Sequence, residues 1–296
     1  MGVQLGNILP RSPVKLENLK YKKIAIDTYI HLYQFLNTLP RLTDKKGRIT
    51  THLVGLFHRT TALMELKIKP AFVFDGPFPE IKKHKRIQIE SPQPRTSSAL
   101  SLEMIKDAKR LLRLLGCPVV QAPSEGEAQA AHMCRKGHVW AVASQDFDSL
   151  VYGAPRMLKN LTFAKTRKLP RKGYVLIGTY LYELKNCLKK LGIDEQQFIA
   201  LAMLVGTDFN PGVYGIGQKK GLELVKKHKK LDDLFARAGW VYGYSWREIW
   251  DCITTLPVTN KYKLKWKKPD KEGVIDFLVK ERDFNEKRVK NALEKI

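Results

Sequence analysis

Cysteine is scarce and unpatterned in this chain. Cys117, Cys134, Cys187 and Cys252 include no CxxC pair, and each lies in an apolar-rich segment. That argues against a zinc site or a disulfide framework, and the four read as reduced, buried thiols. Long apolar runs are missing too. The longest, 198–206, is far short of the ~20 residues a membrane span needs. The N-terminus carries charge from Arg11 onward and has no apolar signal core, so an intracellular location is expected, cytoplasmic, or nuclear in a eukaryotic source. Acidic residues are few: 29 Asp and Glu against 53 Lys and Arg leave a formal charge of +24. A thermophile-type charged surface enriches both signs. A one-sided excess instead favours a polyanionic partner, nucleic acid ahead of an anionic membrane.

What is present is an alternation of strands and helices. Residues 22–27 read as a short buried strand ending in Asp27, and 28–39 as a helix with Leu32, Phe35 and Leu36 near one side. A second helix, 51–67, leads to a second strand ending in Asp75. Residues 77–101, with Pro77, Pro79, the run Lys82–Arg86 and a Ser/Pro-rich end, read as a mobile, exposed segment. A helix over 102–115 and a strand over 118–122 follow. Ser124 with Glu127 three residues on predicts a capping box opening a helix to about 136. Residues 139–144 form another strand running into Asp146 and Asp148, and 150–177 hold strand-like pieces. Helices are expected at 178–191, 194–205 and 218–229, with a more irregular part from Trp240. This pattern predicts an α/β fold: a central, mainly parallel sheet with helices on both faces. No repeat and no long linker divides the chain, so a single domain spanning 1–296 is expected.

In such sheets ligands gather beyond the carboxyl ends of the strands. Any one acid there more often caps a helix or closes a turn than binds metal. However, Asp27, Asp75, Glu125, Glu127, Asp146 and Asp148 fall at the same edge of the inferred sheet, and six such carboxylates repel one another unless cations intervene. Without paired His or Cys ligands, hard oxygen donors favour Mg²⁺ or Mn²⁺ over zinc. Two ions can activate water and stabilise the leaving oxygen of a phosphodiester. A second signal lies at 205–220. Gly215 and Gly217 would let a phosphate approach backbone N–H groups at a helix start, next to Lys219 and Lys220. A helix–hairpin–helix-type element over about 194–230, gripping DNA without reading bases, is expected.

Several blocks resemble the structure-specific 5′ nucleases, and most closely the archaeal flap endonucleases. They are Ile-Ala-Ile-Asp27, Tyr33-Gln-Phe, Val-Phe-Asp75-Gly, Ser-Glu125-Gly-Glu127-Ala, Ser-Gln-Asp146-Phe-Asp148-Ser, Gly-Thr-Asp208 and Gly-Ile-Gly217, in the expected order along nearly the whole chain. The resemblance implies a PIN-like 5′-nuclease fold and adds Asp208 as a seventh metal-site acid. It also implies that Tyr33 stacks near the scissile nucleotide, that Arg59 contacts DNA, and that Gly2 lies near the active site. By the same resemblance Lys82 stabilises charge on the reacting phosphate from the foot of a helical arch, and K⁺ binds at the hairpin carbonyls.

Three features depart from the family pattern. The arch, about 77–101, is short. Ile89 stands where a second basic residue is expected, leaving Arg86 as its substitute. The loop near Pro40 is also shortened. In addition, the sequence shows no glutamine-and-aromatic motif of the kind that binds sliding clamps, so clamp binding, possible for the family, has no support in these residues. The function expected is a Mg²⁺-dependent flap endonuclease of DNA replication and repair, monomeric, cutting branched DNA near a single-strand/duplex junction. The short arch gives weight to a 5′ exonuclease or a bubble/junction-cutting relative. A DNA-binding protein that no longer cuts is the alternative from another class.

Overall fold

The computed structural model describes residues 3–77, 100–161, 166–169, 173–176 and 178–296, with the backbone alone for 166–169 and 173–176. Its first half runs β1 (Ser12–Val14), β2 (Lys23–Asp27), α1 (Thr28–Thr38), α2 (Thr51–Glu65), β3 (Lys69–Phe74), α3 (Leu102–Leu114), β4 (Val119–Gln121), α4 (Gly126–Arg135), β5 (Ala141–Ala143), α5 (Asp148–Val151) and β6 (Arg156–Lys159). A separate hairpin, β7 (Thr166–Leu169) with β8 (Gly173–Leu176), precedes β9 (Thr179–Glu183). The remainder is helical: α6 (Leu184–Leu191), α7 (Glu195–Val205), α8 (Gln218–Lys227), α9 (Leu231–Ala238), α10 (Trp246–Thr254), α11 (Lys271–Ile275) and α12 (Glu286–Glu294).

The seven-stranded sheet has the order β1-β9-β6-β5-β2-β3-β4. Strands β4, β3, β2, β5 and β6 are parallel, and β9 runs antiparallel to both β6 and β1. The short apolar runs are central strands buried on both faces, which is why they lack polar alternation. Ile24, Ile26, Phe72 and Phe74 pack with Leu32, Phe35, Leu56 and Leu111 of α1, α2 and α3. Their neighbours Ala25, Val73 and Val142 face the other way, onto Ala130, Ala131 and Met133 of α4. Small residues on that second face let α4 sit close to the sheet. A third body of apolar contacts joins Phe147 and Tyr182 to α7, α8, α9 and α10.

The sequence places a helix over 178–191, whereas the structure divides that stretch into β9 and α6. The Thr-Tyr-Leu-Tyr-Glu run is β-prone, and pairing with β6 on one side and β1 on the other decides its state. The C-terminal part is also more regular than expected. Arg282, 7% exposed, forms a forked ion pair with Asp107 of α3 at 2.7–3.0 Å and ties the last helices to the sheet layer. None of the four cysteines is in a disulfide; Cys117, Cys134 and Cys187 are buried and Cys252 is half-buried.

Candidate active site

Four of the five parallel strands, β2, β3, β4 and β5, lead into an acid at the carboxyl end, whereas β6 ends in Lys159. Asp27 closes β2 and caps α1, its Oδ1 accepting from the Tyr29 N–H at 3.2 Å. Here the bland role and the candidate role coincide in one residue. Asp75 follows β3 and accepts from the Gly126 N–H at 2.6 Å, so the start of α4 points at it. A Cβ on Gly126 would stand 2.6 Å from Asp75 Oδ1, which explains the glycine between two glutamates. The expected capping box at Ser124 does not form. The helix begins one residue later, with Glu125 at the N-cap position and no side-chain cap. Glu127 turns to β5 instead and accepts from Ser144 Oγ at 2.5 Å. Ser144 Oγ also accepts from the Asp146 N–H at 3.2 Å. A carboxylate from another strand has taken over the N-terminus that a local serine was expected to cap.

Five of the acids, Asp27, Asp75, Glu127, Asp146 and Asp148, are linked electrostatically to one another, and Glu125 and Asp208 join two of them in acting on Tyr152. Burial, then the charge of Asp75 and more weakly Asp146, holds the Asp27 carboxyl well above its ordinary range. Burial and then Asp148, Asp27 and Asp146 do the same for Glu127. Tyr152, half-buried, has its hydroxyl pushed well up by desolvation and by Asp148, Glu125, Glu127 and Asp208. Asp208 thus arrives from the loop after α7, a long-range approach that its local sequence does not announce. Asp148 Oδ1 accepts from the Val3 N–H at 3.2 Å, which brings the N-terminal segment to the same edge.

The donors are all oxygen, a set that suits a hard divalent cation and not zinc. As they stand, among the described residues, no three His, Cys, Asp or Glu side chains are drawn into a geometry that holds an ion. Asp27, Asp75, Glu127, Asp146 and Asp148 repel one another, a repulsion that a bound cation would offset.

This repulsion has a consequence for the metal-free protein. A carboxyl whose folded-state pKa lies above its unfolded value binds a proton more readily when folded. Its stabilising contribution is therefore full at low pH and is lost as pH rises through the raised value. The window opens above the ordinary values of 3.8 for Asp27 and 4.5 for Glu127. Metal-free protein is expected to lose thermal stability relative to an Asp27→Asn variant as pH rises through that window. Thermal melts of both proteins at stepped pH check this, and parallel curves would count against a strained acidic cluster.

Tyr33 on α1 is 41% exposed. Arg59 is not freely exposed: its Nη1 lies 2.5 Å from His31 Nδ1 and its guanidinium rests 5.2 Å from the Phe35 ring centre. Burial lowers Arg59 to about 10, and burial together with Arg59 lowers His31 to about 3. Gly2, Lys82 and Arg86 lie outside the described residues, as does most of the segment expected to form the arch. Two basic residues near the acids had no signal in the sequence. Lys159, at the end of β6, lies 4.1 Å from the Phe147 ring centre and senses Asp146, and it lines a polar cleft with Arg11 and Gln218.

Gln218 opens α8, and so that cleft leads to the hairpin. Gly206 and Gly212 both have positive φ, and a Cβ on Gly212 would stand 2.4 Å from the Val205 carbonyl oxygen. The chain doubles back there with no room for a side chain. Asn210 braces the turn by donating to the Met203 carbonyl at 2.7 Å and accepting from Thr207 Oγ1 at 2.8 Å. Beyond it Tyr214, Gly215, Gly217, Lys219 and Lys220 are all exposed. Nothing lies within 4 Å of a Cβ built on Gly215 or Gly217. An anion can therefore reach the backbone at the start of α8.

Comparison with known proteins places this arrangement. The family model described as the XPG N-terminal domain matches residues 1–93, and the XPG I-region matches 116–208. Flap endonuclease 1 of Pyrococcus horikoshii is 47% identical, with 100% of this chain and 94% of the relative covered. That of Pyrococcus abyssi is 48% identical with the same coverage. The Pyrococcus horikoshii alignment runs over 325 residues against 296 in this chain, so the relative carries internal residues that are missing here. Among solved structures, flap endonuclease-1 from Methanococcus jannaschii superimposes with a TM-score of 0.83 at 38% identity, covering 99% of this chain and 97% of that one. The catalytic core of Rad2 in complex with DNA substrate gives 0.78 at 25% identity, covering 99% and 98%. Likeness at this level, end to end and in three dimensions, leaves one assignment: the chain belongs to the flap endonuclease family.

Proposed function

We propose that the protein is a structure-specific flap endonuclease that hydrolyses DNA phosphodiester bonds near single-strand/duplex junctions, leaving a 5′-phosphate and a 3′-hydroxyl. The observation that carries this reading is the mutual repulsion of Asp27, Asp75, Glu127, Asp146 and Asp148, which come from separate segments, within a chain of net charge +24. A surface that only bound a polyanion would gain nothing from such a cluster.

Asp27, Asp75, Glu125, Glu127, Asp146, Asp148 and Asp208 are assigned to two Mg²⁺ ions, with Mn²⁺ as a substitute. Bound there, the ions supply an activated water and stabilise the leaving oxygen. The chain's own residues position the DNA. Tyr33, exposed on α1, is assigned to stack near the scissile nucleotide, and Arg59, which meets His31, to contact the DNA. Lys82 and Arg86 are assigned to charge on the reacting phosphate by sequence alone. Gly215, Gly217, Lys219 and Lys220 are assigned to a phosphate run of the duplex, with K⁺ at the hairpin carbonyls. The 1–296 chain is assigned as one nuclease domain, monomeric and cytoplasmic, with the helix–hairpin–helix element inside it. No helix among the described residues is long and apolar enough to cross a membrane.

The test is cleavage of an end-labelled 5′-flap substrate with and without Mg²⁺, beside nicked and bubble substrates. Cutting of the flap near its junction only with Mg²⁺ is expected. Preference for the nicked substrate would favour a 5′ exonuclease, and for the bubble a junction-cutting relative. For the hairpin, Lys219→Ala with Lys220→Ala is expected to weaken duplex binding. It should also lower the slope of log affinity against log salt by about 2, since each phosphate contact contributes roughly 0.9. Titrations at several salt concentrations read this directly, and an unchanged slope would remove the hairpin from the DNA path.

A further inference from the structure

At the far end of the molecule, residues 256–270 carry no helix or strand and cross the surface as a strap. The strap is anchored along its length. Gln129 of α4 exchanges two hydrogen bonds with Thr259, at 2.7 and 2.9 Å, and His132 Nε2 meets Asn260 Oδ1 at 2.8 Å. Next, His138 Nδ1 meets the Tyr262 hydroxyl at 2.6 Å, and Trp266 Nε1 donates to the Pro70 carbonyl at 2.7 Å. The Lys267 N–H then donates to Gly116 O at 2.9 Å. Pro70 and Gly116 lie at the amino ends of β3 and β4. The strap therefore finishes at the edge of the sheet opposite the acids, about 17–20 Å away along a six-residue strand.

Its residues alternate. Tyr262, Leu264 and Trp266 are half-buried, while Lys261, Lys263, Lys265 and Lys267 between them are exposed, and Lys268 continues the row. In an extended chain, side chains two apart point the same way at roughly 6.6 Å spacing. Exposed Lys22, Lys23 and Lys69, at the starts of β2 and β3, widen the basic surface, with Lys23 Nζ 5.6 Å from the Trp266 ring centre. Among the described residues none of these lysines enters an ion pair. The nearest acid in sequence, Asp270, is engaged as the cap of α11.

We propose that this lysine row is a second DNA-binding surface, which holds the backbone of a duplex other than the one being cut. Phosphate contact is the mode that the geometry permits. Trp266 and Tyr262 spend their polar atoms and ring faces anchoring the strap, so they are not free to stack on unpaired bases. Nor does the strap present the apolar face that inserts into a membrane surface. What faces outward is charge alone, which binds DNA without regard to sequence. The enzyme can then stay on DNA, or bridge two segments, while its catalytic edge is empty or occupied.

A capture experiment tests this with the full chain. A 5′-flap substrate is fixed to beads without Mg²⁺, the protein is bound to it, and a labelled blunt duplex is added. Wild-type protein is expected to retain the second duplex. Lys263→Ala, Lys265→Ala, Lys267→Ala and Lys268→Ala combined should cut retention at least about tenfold and lower its salt slope by about 3–4. That variant should still cleave a short flap with Mg²⁺ as wild type does, which separates this surface from the catalytic reading. Replacing the same four lysines by arginine, which keeps the charge, should keep the capture. Failure of wild type to hold a second duplex, or equal capture by the alanine variant, would overturn the proposal. So would retention of anionic phosphatidylserine vesicles in place of duplex.

Discussion

Asp148→Asn is expected to reduce flap cutting in Mg²⁺ by about 10³-fold while leaving DNA binding intact or slightly tighter. The substitution is nearly isosteric and keeps an oxygen acceptor for the Val3 N–H, which lies 3.2 Å from Asp148 Oδ1. The tether of the N-terminal segment therefore survives, and what is lost is one negative charge from a buried position, 6% exposed, beside Glu127. Removing charge from an edge that faces a polyanion cannot weaken attraction to DNA by Coulomb's law. Single-turnover cleavage and a binding titration on the same flap substrate separate the two effects. Cutting at the wild-type rate would end the two-ion assignment, whereas parallel loss of cutting and binding would point to a folding defect.

Gly126→Ala is expected to lower the single-turnover rate by about 100-fold without unfolding the protein. The new Cβ would lie 2.6 Å from Asp75 Oδ1, a distance that real Cβ atoms do not show, so the Asp75 carboxylate must turn away. It then loses the 2.6 Å hydrogen bond from the Gly126 N–H that aims it. A displacement of about 1 Å in a reacting constellation costs on the order of 10²-fold. Alanine is the better helix former by about 1 kcal/mol, so α4 itself gains, and thermal stability should hold or rise. A stable variant with poor cleavage is the expected signature. Wild-type cleavage would mean that Asp75 does not work from this position.

Much of the architecture was legible because it rests on local pattern. Strands such as Lys23–Asp27 and Lys69–Phe74 are short apolar runs ended by an acid, and that ending also fixes which edge the acid occupies. The second half of 178–191 follows its helical pattern, whereas the first half does not, because Thr-Tyr-Leu-Tyr-Glu is committed to a strand by partners at 12–14 and 156–159. Similarly, Ser124 and Glu127 had the right spacing for a capping box, but Asp75 and Ser144 compete for the same groups from distant strands. Local propensity lost in both places to contacts made across the sheet.

Residue types and their order were enough to determine the α/β class, the placing of Asp27 and Asp75 at strand ends, and the strong basic excess. These follow from hydrophobic period, strand-end position and net charge, all of which are properties of neighbours in the chain. Only the tertiary structure decided which acids sense one another, that Asp208 comes within electrostatic reach of Tyr152, and that His31 meets Arg59. It alone brought Lys159 and Arg11 to the cleft between acids and hairpin, and turned the lysines of 261–268 outward at the opposite edge. Each of these depends on segments far apart in sequence meeting through the sheet, and the energies involved, burial and charge–charge repulsion, exist only once that packing has excluded water.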